Sequence, residues 1–196
     1  MNEETSTEQC LADYFAELAR LIAEVDLKAV GRIVDTLFEA WQSGRRVLLA
    51  GNGGSSSSVS HIVADLQKNI YLASGVALKT LCLADSAPLV TAWANDTDYA
   101  NVFAPQVHCW AEPGDVLLLV SGSGNSPNIL HCARAGRERG MRLIGLSGFA
   151  GGKLQDLVDE SLVVRSDNMQ RIEDVHMSIL HGIYLALIGR VGRTGD

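Results

Sequence analysis

The sequence predicts an α/β fold: a three-layer αβα sandwich around a five-stranded parallel sheet, preceded by two helices. Short continuous apolar runs alternate with helical patterns through most of the chain, the mark of strands buried on both faces of a parallel sheet. Two of these runs end in Gly/Ser/Asn loops that lead into helices, Ala50–Ser58 (AGNGGSSSS) and Val120–Ser126 (VSGSGNS). A length of 196 residues, 47% of them apolar, suits one substantial α/β domain and is short for two.

Thr7–Val25 carries Leu11, Tyr14, Phe15, Leu18, Leu21 and Ile22 at helical spacing, and Leu27–Ser43 repeats the pattern up to Gly44. Strands are then expected at Val47–Ala50, Leu78–Leu83, Val116–Val120, Leu143–Leu146 and Leu162–Val164. Helices are expected at Ser55–Lys68, Ser86–Ala94, Tyr99–Trp110, Asn128–Arg139, Gly152–Leu157 and Arg171–Val191. No linker, low-complexity segment or repeat interrupts the series, so residues 1–196 read as one domain.

Both Gly/Ser loops lie at the carboxyl ends of strands, where open α/β sheets hold their ligands. A helix start offers free N–H groups at the positive end of its dipole, and serines add hydroxyl donors. In the second loop Ser121, Ser123 and Ser126 are placed to donate to one phosphate, with Asn125 beside them; Pro127 suits the first turn of the next helix. In the first loop Asn52 and Ser55 are placed for sugar hydroxyls or further phosphate oxygens, and Gly53 lets the backbone come close. Neither loop has the GxxxxGK[ST] or GxGxxG spacing, so the ligand is expected to be a phosphorylated small molecule rather than a nucleotide.

Bulk properties narrow the class. The net charge is −7 with no Lys/Arg run, so nucleic acid is not an expected partner. Cys10, Cys82, Cys109 and Cys132 lack paired spacing and are expected to be reduced. The polar, acidic start and the absence of a long apolar run point to a cytoplasmic location, with no leader and no membrane contact.

Candidate chemistry lies on two helical patterns. His61 and Asp65 are spaced i,i+4 and point to one face, and Glu173 and His181 are eight residues apart, about two turns. A base with an acid or metal beside it is what proton transfer between adjacent carbons of a sugar requires. His108, His131 and His176 have no partner pattern and read as structural.

AGNGGSSSSVSHIVADL, TAWANDTDYANVF, GDVLLLVSGSGNSPNIL and RIEDVHMSILH resemble, in order, the motifs of SIS (sugar isomerase) domains, and among them the phosphoheptose isomerases. The resemblance spans nearly the whole chain. It implies a homotetramer with active sites shared between subunits, in which residues 1–44 take part in assembly. It also implies conversion of sedoheptulose 7-phosphate to D-glycero-D-manno-heptose 7-phosphate through an enediol. Ser121, Ser123 and Ser126 match the family's phosphate serines, Asn52 and Ser55 its substrate-loop residues, and Asp96 its NDxxY segment. His61, Asp65, Glu173 and His181 match its zinc ligands, with Asp65 and His181 also the proton-transfer pair. Here the family's usual Glu is Asp65, its Gln is Glu173, its TSGNS is GSGNS through Gly122, and an acidic residue is Gln170. The second carboxylate makes Mn²⁺ or Fe²⁺ alternatives to Zn²⁺.

Two other functions fit the loops: a non-catalytic SIS scaffold for a protein partner, and a sugar-phosphate sensor. Ionisable groups at positions 65 and 181 argue against a pure scaffold, which has no need to bury them.

Overall fold

A computed structural model describes residues 6–192; the acidic start expected above lies partly outside them. Two helices come first, α1 (Thr7–Ala23) and α2 (Leu27–Gln42). Each opens on a side-chain cap: Ser6 Oγ accepts from Gln9 N at 3.1 Å, and Asp26 Oδ1 accepts from Lys28 N at 2.9 Å and Ala29 N at 3.1 Å. The sheet consists of β1 (Arg46–Gly51), β2 (Lys79–Cys82), β3 (Val116–Ser121), β4 (Arg142–Gly148) and β5 (Glu160–Val164). All its neighbours are parallel, in the order β2-β1-β3-β4-β5. Because β1 has β2 on one side and β3 on the other, chain direction around the sheet reverses there, and the two Gly/Ser loops flank that switch point.

Alternation along the strands splits the core in two. Val47 and Leu49 of β1 and Val116, Leu118 and Val120 of β3 face one layer, with α2, α3 (Gly54–Ala64) and α8 (Met169–Val191). Leu48, Ala50, Leu117 and Leu119 face the other, with α6 (Ala104–Trp110) and α7 (Pro127–Glu138).

Three elements depart from the sequence expectation. The helix expected at Ser55–Lys68 runs on through a π-turn, Asp65–Asn69, into α4 (Ile70–Ser74), and stops at Gly75 in the left-handed region. The segment Tyr99–Trp110 is a 3₁₀ turn at Tyr99–Asn101 followed by α6, because Pro105 belongs in a first turn and not in a helix interior. Only Leu154–Asp156 of the segment Gly152–Leu157 is helical, as a 3₁₀ turn, since Gly151 and Gly152 adopt φ of 93° and 59°. α5 (Ala87–Asp96) fills the remaining connection after β2. All four cysteines are free, and burial pushes the Cys82 thiol up to about 12.

His176 pins α8 to the sheet: its Nε2 donates to the Ser147 carbonyl of β4 at 3.0 Å, and Nδ1 is buried without a partner. Burial lowers its pKa from 6.5 to about 4, against a smaller opposing pull from the carbonyl. The folded state thus prefers neutral imidazole, so the unfolded chain binds the extra proton between those values. Stability is complete above about pH 6.5 and falls as pH drops, by about 3 kcal/mol by pH 4. Urea unfolding in EDTA at fixed protein concentration should show this fall in the native chain and a flatter profile in His176→Gln. Equal profiles would contradict it.

Candidate active site

The first loop follows β1. Gly53 takes φ of 52°, and a Cβ at Gly51 would lie 2.7 Å from the Ser55 backbone, so the loop turns tightly onto α3. Ser56, Ser57 and Ser58 bond back to the carbonyls of Gly53 and Gly54, whereas Ser55 does not. Asn52 is less free than its position in the sequence implied. Its amide pairs reciprocally with that of buried Asn128, at 2.9 and 2.8 Å, and its Oδ1 also accepts from Tyr99 Oη at 3.1 Å. One Asn52 N–H remains for a ligand, and the pair ties the two loops together across the switch point.

The second loop follows β3. Among the described residues, the Ser121 and Ser126 hydroxyls make no hydrogen bond to protein, although Ser126 stands at the N-cap of α7. Ser123 Oγ accepts from Asn125 N at 3.1 Å, which withdraws that N–H from a ligand. The loop rests on the segment after β4: Leu154 N donates to Gly124 O at 2.9 Å, and Lys153 N to Asn125 Oδ1 at 3.1 Å. A Cβ at Gly124, where φ is 63°, would meet Gly151 O at 2.1 Å. One at Gly122 would meet Met169 Sδ at 2.3 Å, so a side chain there would require the Met169 thioether to move.

α8 lies beside α3 and brings together residues far apart in sequence. His61 Nε2 and His181 Nε2 are 3.0 Å apart, and Asp65 Oδ2 is 3.7 Å from His61 Nε2. One donor atom from each of the three falls within 4.8 Å of the others. Two imidazole nitrogens sharing a tetrahedral ion at about 2.05 Å stand roughly 3.3 Å apart, so the donor set fits a divalent transition ion. The site faces outward, with 53% of the His61 side chain exposed.

Glu173 stands outside this group. Its carboxylate packs on Gly54, where a Cβ would lie 2.3 Å from Oε2, at the start of α3. Eight residues of helix separate it from His181, an axial rise of about 12 Å. Asp96 ends α5 in the open, its carboxylate accepting from Asn95 Nδ2 at 2.9 Å. Tyr99 brings that segment to the first loop instead. Neither Tyr99 nor Asn128 was singled out in the sequence, although Tyr99 closes the NDxxY segment and Asn128 stands at the first turn of the helix after the second loop. His108 and His131 lie at the surface, near Glu138 and Asn101, and His176 is in the core.

A family model described as SIS domain matches residues 13–148. This chain belongs to the SIS domain family. A phosphoheptose isomerase of Bradyrhizobium sp. (strain BTAi1) is 39% identical over 174 residues, 88% of this chain and 87% of that protein. A probable phosphoheptose isomerase of Thermoplasma acidophilum is 34% identical over 87% of this chain and 93% of its own length. Among solved structures, phosphoheptose isomerase GmhA from Neisseria gonorrhoeae superposes with a TM-score of 0.85 at 26% identity, covering 93% of this chain and 98% of that one. The five-stranded parallel sheet and the two leading helices are those of the SIS fold, and the chain is an isomerase of that family.

In this SIS domain the second loop depends on the Gly124–Gly151 approach. Gly124→Ala should therefore weaken binding of inorganic phosphate at least tenfold by calorimetry. Gly189→Ala, with nothing within 4 Å of the added Cβ, should leave binding intact. Unchanged affinity in Gly124→Ala would place the phosphate elsewhere.

Proposed function

We propose that this chain interconverts sedoheptulose 7-phosphate and D-glycero-D-manno-heptose 7-phosphate by proton transfer through an enediol. The observation that carries the reading is the meeting of His61, Asp65 and His181 beside paired Gly/Ser loops, in a chain that aligns with phosphoheptose isomerases over most of its length.

The two loops divide the substrate. Glu173 already brings a negative charge to the start of α3, so the first loop disfavours phosphate. Its remaining Asn52 N–H, Ser55, the Gly53 turn and the Glu173 carboxylate itself suit sugar hydroxyls, with Asp96 at the outer edge. Ser121, Ser123 and Ser126 at the start of α7, with Ser123 bonded by Asn125, take the phosphate. The C1–C2 end of the sugar is then directed to α3 and α8.

There Asp65 removes a proton from C1, and His181 gives a proton to the C2 oxygen as the enediol forms. Return of the proton to C2, with loss of the O1 proton, completes the aldose and leaves all atoms balanced. His61, Asp65 and His181 would hold the divalent ion, Zn²⁺ with Mn²⁺ or Fe²⁺ as alternatives; Glu173, whose carboxylate packs on Gly54, is not among the donors that meet there in this structure. When bound, such an ion polarises the carbonyl oxygen.

Residues 1–196 are taken as one SIS domain working as a homotetramer with sites at subunit interfaces. Leu11, Phe15 and Ile22 on α1 are exposed at 51%, 62% and 43%, an apolar stripe that a second copy would cover. Among the described residues no helix is long and apolar enough to cross a membrane, and a cytoplasmic location is proposed on the same footing.

Proton NMR of sedoheptulose 7-phosphate in D₂O tests the reading. The native protein with Zn²⁺ should yield aldose anomeric signals with deuterium at C2, lost on EDTA treatment. Asp65→Asn should abolish turnover while leaving substrate binding nearly intact. No exchange with any divalent ion would overturn the reading, and a ligand-induced thermal shift in that case would identify a sensor.

A further inference from the structure

Asp65 is held from behind by groups that belong neither to the proposed ligand set nor to the sugar loops. The π-turn begins at Asp65 and ends at Asn69. Asn69 Nδ2 donates to Asp65 Oδ1 at 3.2 Å and to Tyr184 Oη at 3.0 Å. Both amide hydrogens are therefore engaged, one by the carboxylate and one by a phenol from α8. Turning the amide over would place its oxygen against the carboxylate, so Asp65 selects the orientation and the Tyr184 hydroxyl accepts the second hydrogen. Tyr184 lies three residues beyond His181, so the same helix that supplies the imidazole also supplies the stop for Asn69.

We infer that Asn69 and Tyr184 are positioning residues that fix the plane of the Asp65 carboxylate, an inference that rests on the role proposed for Asp65. With Oδ1 accepting from Asn69, Oδ2 is the oxygen turned to His61, at 3.7 Å. Oδ1 keeps one lone pair for a substrate proton, so a single carboxylate can present one oxygen to the imidazole pair and the other to the sugar. An aspartate has one torsion fewer than a glutamate, and a neutral amide donor orients it without adding charge. Free rotation would forfeit that division, and a misplacement of about 1 Å at a reacting group costs on the order of 100-fold. Partners of this kind typically carry roughly 10- to 100-fold in metal affinity or activity.

The test compares native protein with Asn69→Leu, which keeps branched bulk without a donor, and Tyr184→Phe, which removes only the phenol oxygen. Asn69→Leu should lower kcat roughly 10- to 100-fold and weaken Zn²⁺ retention against a chromophoric chelator about tenfold. KM for sedoheptulose 7-phosphate should stay within about twofold, because the phosphate and hydroxyl contacts are untouched. Tyr184→Phe should move kcat and Zn²⁺ retention in the same direction by a smaller factor. Native kcat and Zn²⁺ affinity in both variants would overturn the inference, as would a rise in KM matching the fall in kcat. If Asn69→Leu does not fold, by circular dichroism, Tyr184→Phe decides alone. Native protein that neither isomerises nor retains Zn²⁺ would remove the functional reading and this inference together, whereas an active native protein with unaffected variants removes only the inference.

Discussion

The packing of α8 along α3 is the constraint on which the site depends. His61 and Asp65 stand near the start of the sheet and His181 near the end of the chain, so no local pattern can bring them together. A shared apolar seam does. Val59, Ile62, Leu66 and Ile70 on one side and Ile172, Val175, Ile179 and Ile183 on the other lie in one buried cluster against the same sheet face. Fully burying each such side chain is worth roughly 1.5–3 kcal/mol, so the register of the two helices is held by many contacts and the polar groups follow it. Gly54 leaves room at the start of α3 for the Glu173 carboxylate, which a side chain there would displace.

The second organising feature is electrostatic. Two loops of similar composition end two adjacent strands, yet their surroundings differ. The first has a carboxylate laid on its helix start; the second has hydroxyls without protein partners at the start of α7. On the proposed function, that asymmetry assigns the phosphate to the second loop and the sugar hydroxyls to the first in a chain of net charge −7. The Asn52–Asn128 pair sets the distance between the two halves.

Much of the fold was legible because the strands are continuous apolar runs and the loops carry glycine where the backbone demands it. All five strands fall within a few residues of their expected positions, and both leading helices form. What the sequence concealed has physical causes. A π-turn keeps the composition of a helix, so nothing at Asp65–Asn69 marked the widened turn. Asn52 looked like a ligand-facing residue because its partner Asn128 lies 76 positions away. Glu173 and His181 share a helix, but the eight-residue interval that brings them to one face also separates them along the axis. Spacing reports the face and leaves the distance to the neighbouring helix.

The central claim is that α3 and α8 together form a metal-dependent proton-transfer site. It is tested most directly by anomalous diffraction at the zinc edge from crystals soaked with Zn²⁺. The account predicts one strong peak about 2.0–2.2 Å from the Nε2 atoms of His61 and His181 and from a carboxylate oxygen of Asp65. Zinc bound elsewhere, with the two imidazoles bonded to each other and Asp65 turned away, would contradict it.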